Sequence, residues 1–288
     1  MTITKPMLAH KYDKSRVDWS QPVYMQPKLD GVRCLIQYEV FPISQGGARI
    51  VAYSRTGKEF MNIEHIKKDL ELFFEQQPDV ILDGELYNHD LRDDFEKIIS
   101  LVRKQKPTDE DKSNARELIQ FHCYDYIETV MNQPYSYRMN QLVCSNIYSY
   151  CIKYVPAKKA LCEKGSKVIH GANLHKGYEG SIMRLDGKYK HGRSYDLMKF
   201  KDFSDTEATI VDWVEGKGKR IGTIGKFIAI DSEGIRFGMP VMDKFKYLQE
   251  NFEEMQGWVG KTATFTYFER TKANSYRHPL FKALRNYE

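Results

Sequence analysis

No Cys-x-x-Cys pair occurs in the 288 residues, and the five cysteines, Cys34, Cys123, Cys144, Cys151 and Cys162, are odd in number and irregular in spacing. This fits neither a disulfide framework nor a zinc site, and buried thiols in a reducing compartment are expected. Long apolar runs are missing too. Nothing approaches the roughly 18 residues needed to cross a bilayer, and the first ten residues have no signal-peptide core, so a soluble intracellular protein is expected. Nor does one sign of charge dominate: 44 Lys and Arg stand against 39 Asp and Glu, giving +5 and a pI near 8.7. That balance permits a polyanionic partner without requiring one. Repeats and low-complexity tracts are absent as well.

What is present is alternation. Residues 32–38, 49–54, 80–82, 119–124, 181–185 and 197–201 read as short strands. Between them, Asn62 is placed to cap a helix whose Ile63, Ile66, Leu70 and Phe73 share a face, and Phe95, Ile98, Ile99 and Val102 form a second apolar stripe. A third helix is expected over about 137–151. After Phe203 the pattern changes: strands over 208–214, 223–230 and 235–239, an amphipathic helix over about 243–255, then strands at 262–269 and near Phe281. Five strands with a late helix suggest an OB-fold, a common nucleic-acid-binding barrel. The expected organisation is an α+β domain over 1–203 and a small all-β domain over 204–288.

Polar residues cluster where these strands end. Lys28 approaches a glycine turn in Lys28-Leu29-Asp30-Gly31-Val32-Arg33, Glu85 follows an apolar strand in Leu82-Asp83-Gly84-Glu85-Leu86, and Glu179 precedes one in Tyr178-Glu179-Gly180-Ser181-Ile182-Met183. Singly, each reads as an ordinary turn or strand-end residue. Two such acids could share a divalent metal. Lys199 and Lys201, two apart in Leu197-Met198-Lys199-Phe200-Lys201, share a strand face. Together these are an amine nucleophile, two acids and a phosphate-binding lysine pair, the parts needed to attack a nucleotide's α-phosphate. A lysine with a reference pKa of about 10.4 must lose its proton to attack, which neighbouring cations favour.

In order and spacing, these segments resemble the ATP-dependent DNA ligases over nearly the whole chain. The likeness also covers Lys5-Pro6-Met7-Leu8-Ala9, Ser54-Arg55-Thr56-Gly57, Tyr124-Asp125, Gly192-Arg193-Ser194 and Gly216-Lys217-Gly218-Lys219-Arg220. The resemblance implies an adenylation (nucleotidyltransferase) domain followed by an OB-fold. It makes Lys28 the adenylated residue, with Gln26 reading the adenine edge and Tyr124 stacking on the base. Glu85 and Glu179 would serve the ribose or metal, Asp30 the metal or the nick, and Lys199 and Lys201 the α-phosphate. Arg33, Ser54 and Arg55 would meet AMP or the nick's 5′-phosphate, and Lys217, Lys219 and Arg220 would contact DNA. Arg277, in Arg277-His278-Pro279-Leu280-Phe281, would orient the pyrophosphate leaving group, although the chain ends in Asn286-Tyr287-Glu288 rather than the family's Asp-Lys. Gln26 stands where many relatives have Glu.

The implied cofactors are ATP and Mg²⁺, with Mn²⁺ as substitute, and the implied partner is nicked duplex DNA bound by a monomer. Only 27 residues precede Lys28, too few for an NAD-binding domain, so ATP and a near-minimal ligase are expected. The rival enzyme readings are an RNA ligase or an mRNA capping guanylyltransferase. A non-enzymatic OB-fold that stacks bases on Trp213, Phe227 and Phe237 leaves the first 200 residues unexplained.

Overall fold

β-branched and aromatic residues recur at every second position in short segments of the first 200 residues, as at Ile36, Tyr38 and Val40, a pattern that favours strands. The computed structural model describes residues 5–45, 47–200, 204–271 and 274–285. The chain divides into two compact units, Met1–Phe200 and Lys201–Glu288.

In the first unit the strands are β1 (Leu8–Lys11), β2 (Val23–Lys28), β3 (Val32–Val40), β4 (Ala48–Ser54), β5 (Val80–Tyr87), β6 (Gln120–Glu128), β7 (Ile152–Tyr154), β8 (Lys158–Ala160), β9 (Gly180–Leu185) and β10 (Arg193–Phe200). Its helices are α1 (Glu64–Asp69), α2 (Glu71–Gln76), α3 (Phe95–Val102), α4 (Asp109–Leu118), α5 (Tyr135–Cys144) and α6 (Glu163–His175). Two five-stranded sheets form among the described residues, in the orders β1-β10-β9-β2-β8 and β4-β3-β5-β6-β7. Met25, Met183, Met198 and Phe200 pack on the α6 side of the first sheet. Ile63, Ile66, Phe74, Ile98 and Leu101 pack against the outer face of the second. Met7, Leu35, Ile81, Ile127, Tyr189 and Leu197 join the two inner faces, and the candidate site lies between these faces.

Several expectations need correction. Asn62 does not cap: α1 starts beyond Ile63 without a side-chain cap, and the Asn62 amide donates to the Leu101 and Asp111 carbonyls at 3.0 and 3.1 Å, tying α3 to α4. The expected single helix there breaks at Leu70 into α1 and α2, although Ile63, Ile66, Leu70 and Phe73 are all buried. The third helix stops at Cys144, seven residues early. Thiols Cys34, Cys123 and Cys151 are buried, but Cys144 and Cys162 are exposed.

The second unit contains β11 (Ser204–Glu215), β12 (Ile224–Ile230), β13 (Arg236–Pro240), α7 (Phe245–Glu250), α8 (Phe252–Gln256), β14 (Thr262–Tyr267), β15 (Glu269–Arg270), β16 (Tyr276–Arg277) and β17 (Leu280–Leu284). The expected single helix is thus two short ones, divided at Asn251. An antiparallel sheet runs β13-β12-β11-β14-β17, and its two edge strands, β13 and β17, approach each other. Phe227, Phe237, Phe265 and Trp258 fill its core, with Trp213 half-buried against it, so these aromatics are packing groups rather than a stacking platform.

Candidate active site

Strand alternation and pairing gather the site on one face of the β10-β9-β2 ladder. Gln26 pairs with Ile182 and Ile182 with Lys199, while Lys28 pairs with Gly180 two residues along, so these side chains share a face. The methionines on the opposite face are buried, which holds the register that turns Gln26, Lys28 and Lys199 inward. A slip of one residue would bury the charges and expose the methionines.

Glycine lets the ends of this ladder close up. A Cβ at Gly180 would lie 2.3 Å from the Phe200 carbonyl oxygen, and one at Gly31 would lie 2.5 Å from that of Leu86. Gly180 thereby delivers the buried carboxylate of Glu179 to Lys28, whose ammonium donates to Oε2. Gly31 seats the turn after Lys28 against β5, where Glu85 lies.

The facing wall comes from β3, β5 and β6. Arg33 pairs with Glu85 across β3 and β5, and its Nε and Nη2 grip Asp83 at 2.6 and 2.5 Å while Nη2 also reaches the Met7 carbonyl at 3.2 Å. Tyr189 donates to the same carboxylate at 2.7 Å. The β5–β6 register shifts between Asp83 and Gly84, leaving Tyr124 as the extra residue. Such a bulge re-aims a side chain. Tyr124 donates to Glu85 at 3.1 Å, and the Arg33 guanidinium carbon sits 4.9 Å from its ring centre. Burial pushes the Glu85 carboxyl up to about 7, helped by Asp83 and Asp30 and opposed by Arg33 and the Tyr124 hydroxyl. Burial also raises the Tyr124 phenol well above its ordinary value.

A buried charge network joins the two walls. Asp125 accepts Arg138 Nε at 2.7 Å and Nη2 at 3.2 Å, and Arg184 Nη1 at 2.6 Å. Burial by itself would raise the Asp125 pKa, but the Arg184 and Arg138 guanidiniums bring it below the usual carboxylate range. Arg184 Nε donates to Gln26 Oε1 at 2.7 Å, and Gln26 Nε2 donates to the Val155 carbonyl at 2.9 Å.

Beside Arg33 opens a cleft of about 690 Å³ lined by Gly31, Arg33, Ser54, Arg55, Lys58, Glu85 and Arg103, among others. It brings Ser54 and Arg55 next to Arg33 and Glu85. The Ser54 hydroxyl accepts the Lys58 N–H at 3.0 Å and so shapes the turn that carries Arg55. Half-buried Asp30 follows Leu29 in the glycine turn. Lys201 lies outside the described residues. Arg277 belongs to the second unit, where β16 pairs with β15 and its guanidinium carbon is 5.8 Å from the Phe268 ring centre. Lys217 and Lys219 are exposed in the turn before β12, whereas half-buried Arg220 donates to the Val241 carbonyl at 3.1 Å. Among the described residues no three His, Cys, Asp or Glu side chains converge as a ready cation cage.

A family model for the ATP dependent DNA ligase domain matches residues 6–201. The chain belongs to the ATP-dependent DNA ligase family. Among relatives of this ligase-family chain, the DNA ligase of African swine fever virus, Pretoriuskop isolate, is 31% identical over 212 residues, 69% of this chain and 46% of that protein. Enterobacteria phage T4 DNA ligase is 24% identical over 248 residues, 71% of this chain and 50% of that one. The chain therefore spans about half the length of the curated relatives it matches. A solved Lig E DNA ligase shares the fold with a TM-score of 0.75 at 22% identity, covering 98% of this chain and 100% of that one. Bacteriophage T7 ligase in complex with ATP gives a TM-score of 0.57 at 16% identity, covering 98% and 99%. The first unit thus matches an ATP dependent DNA ligase domain and has a mixed α/β fold.

Sequence reasoning on this ligase-family chain does not single out Arg138, Arg184, Lys58 or Arg103, and it quotes Asp83 and Asp125 without giving them work. The signal for the buried set was available: a carboxylate inside the apolar run Cys123-Tyr124-Asp125-Tyr126 demands a cationic partner. Which arginine supplies it depends on strand register. No helix of the described residues is long and apolar enough to cross a membrane.

Proposed function

We propose that the chain takes AMP from ATP onto Lys28 and uses it to seal 3′-hydroxyl/5′-phosphate nicks in duplex DNA. The observation that carries this reading is the Lys28 amine held by Glu179 on an inward sheet face, opposite Glu85 and Tyr124, in a chain of the ligase family. In the first step the Lys28 amine forms a bond to the α-phosphorus of ATP, the α–β anhydride bond breaks and pyrophosphate leaves. An oxygen of the nick's 5′-phosphate then displaces lysine from AMP, and the 3′-hydroxyl displaces AMP to close the backbone.

Glu179 orients the amine, Lys199 faces the phosphates, Gln26 reads the base edge, and Tyr124 and Ile182 enclose the base. Lys201 and Asp30 are assigned to the α-phosphate and the nick on resemblance alone. Two carboxylates, buried Glu179 and half-buried Glu85, suit Mg²⁺, which keeps several waters and binds through one or two carboxylates plus substrate phosphates rather than in an all-protein cage. Bound there, it would supply Lewis acidity at the phosphates.

Arg33, Ser54, Arg55, Lys58 and Arg103 in the cleft are assigned to the nick's 5′-phosphate strand, and Lys217 and Lys219 to duplex phosphates, which gives sequence-independent, salt-sensitive binding. We read residues 204–288 as an OB-fold. The strand order β13-β12-β11-β14-β17, the approach of β13 to β17 and the helices between β13 and β14 support that reading. Arg277 is assigned to the pyrophosphate, so Arg277→Ala slows self-adenylation but leaves sealing by pre-adenylated protein near normal.

The test is sealing of a labelled nick with DNA or RNA placed separately on each side of the break, with a monomer read by sedimentation. Sealing of DNA at both strands supports the proposal. Sealing of RNA alone, or covalent retention of GMP instead of AMP, points to an RNA ligase or a capping enzyme.

A further inference from the structure

We infer that Arg184 is a positioning residue: it fixes which way the Gln26 amide faces and so selects a 6-aminopurine over a 6-oxopurine nucleotide. The inference rests on the placement of Gln26 at the base edge made under Proposed function and adds to it the source of the base choice.

A glutamine amide has two ends of nearly the same shape and opposite polarity, a carbonyl oxygen that accepts and an NH₂ that donates. Adenine presents a donating amino group at C6 beside ring nitrogens that accept. Guanine and hypoxanthine present an accepting oxygen at C6 beside a donating N1–H. An amide free to turn over can satisfy either edge, and one held in a single orientation fits only one.

Gln26 is held. Its two partners each have one polarity only, since the Val155 carbonyl at 2.9 Å can only accept and the Arg184 guanidinium at 2.7 Å can only donate. Turning the amide over would set oxygen against oxygen and N–H against N–H in a place where Gln26 is 2% exposed. Such unsatisfied buried groups are strongly disfavoured.

Arg184 has no freedom to adapt. It is itself buried, anchored at 2.6 Å on Asp125, which Arg138 holds in turn. Its guanidinium carbon lies 4.7 Å from the Tyr135 ring centre and 5.3 Å from that of Tyr124. Arg184 pairs with Tyr24 two positions from the Gln26–Ile182 pair, so the lock sits on the same sheet face as Lys28. The remaining lone pair of Gln26 Oε1 then offers the acceptor that a 6-amino group needs and that a 6-oxo group rejects.

The experiment measures single-turnover labelling of Lys28 in the full chain with α-³²P-labelled ATP, ITP and GTP plus Mg²⁺. Wild type is expected to label with ATP at least about 100-fold faster than with ITP or GTP, because a site built to pair a polar group rejects the analogue that leaves it unpaired. ITP and GTP are rejected alike, since they share the 6-oxo group.

In Arg184→Gln the new amide can donate or accept, which leaves only the Val155 carbonyl opposing a turn of Gln26, and the ATP-to-ITP ratio is expected to fall by about tenfold or more. Arg184→Lys keeps a donor-only cation and retains the ratio. Arg184→Gln leaves Asp125 paired with buried Arg138; if it nevertheless proves insoluble, the triple variant Asp125→Asn, Arg138→Gln and Arg184→Gln removes all three buried charges together and is expected to show the same fall. Loss of the ratio in Gln26→Met with an unchanged ratio in the Arg184→Gln variants overturns the positioning role while leaving Gln26 at the base. An unchanged ratio in Gln26→Met removes Gln26 from the base and the inference with it.

Discussion

Lys28 and Glu179 form an ion pair at the end of the β2–β9 ladder, where Lys28 lies opposite Gly180 in register. The carboxylate aims the amine but also favours its charged, unreactive form. Nucleotide phosphates and a cation that draw on Glu179 would loosen that hold. Glu179→Gln should therefore slow self-adenylation by about 100-fold or more, on the scale of losing one preorganised electrostatic group. The same change at exposed Glu110 should have no effect. Single-turnover adenylation of both variants checks this, and equal rates would remove Glu179 from the mechanism.

Asp83 holds Arg33 in a two-point grip and also accepts from Tyr189, with its own side chain fully buried. Asp83→Ala leaves the guanidinium without its counter-charge, and breaking such a pair from one side costs about 3–5 kcal/mol. Chemical denaturation should show that loss, with adenylation reduced in the folded fraction because Tyr124 loses the cation beside its ring. A destabilisation below about 1 kcal/mol would show the pair to be dispensable.

Glu85 carries a pH signature. Its carboxyl is raised to about 7, above its ordinary value of 4.5, first by burial. A raised folded-state pKa contributes stability that is fully present below about 4.5 and lost as pH rises through about 7. Between those values wild type should lose stability relative to Glu85→Gln, by at most about 3 kcal/mol because some solvent contact remains. Melting curves of both proteins from pH 4.5 to 8 read the difference, and parallel curves would mean that Glu85 titrates normally.

Part of this candidate site is legible in the sequence. The place of Lys28 before a glycine turn and the shared face of Lys199 and Lys201 were readable, because turn chemistry and strand alternation are local, whereas strand β2, which carries Gln26 and Lys28, was not read from the sequence. What was not legible depends on register between distant segments: the grip of Asp83 on Arg33, the reach of Arg184 to Gln26 across 158 residues, and the bulge that turns Tyr124 toward Glu85. Helix α4 was missed because Ala115 is its only buried residue, and its signal was instead the capping box of Thr108 and Asp111. Helix α6 buries Ser166, His170 and Asn173 in place of an apolar stripe, so periodicity could not reveal it.

The central claim is that Lys28 is the nucleophile. Incubation of the full chain with α-³²P-labelled ATP and Mg²⁺, followed by denaturation, proteolysis and mass spectrometry, tests it most directly. The account predicts one acid-labile AMP adduct, on the peptide containing Lys28, and none in Lys28→Arg, whose guanidinium cannot deprotonate to attack. AMP carried by a different lysine, or adduct persisting in Lys28→Arg, would contradict it.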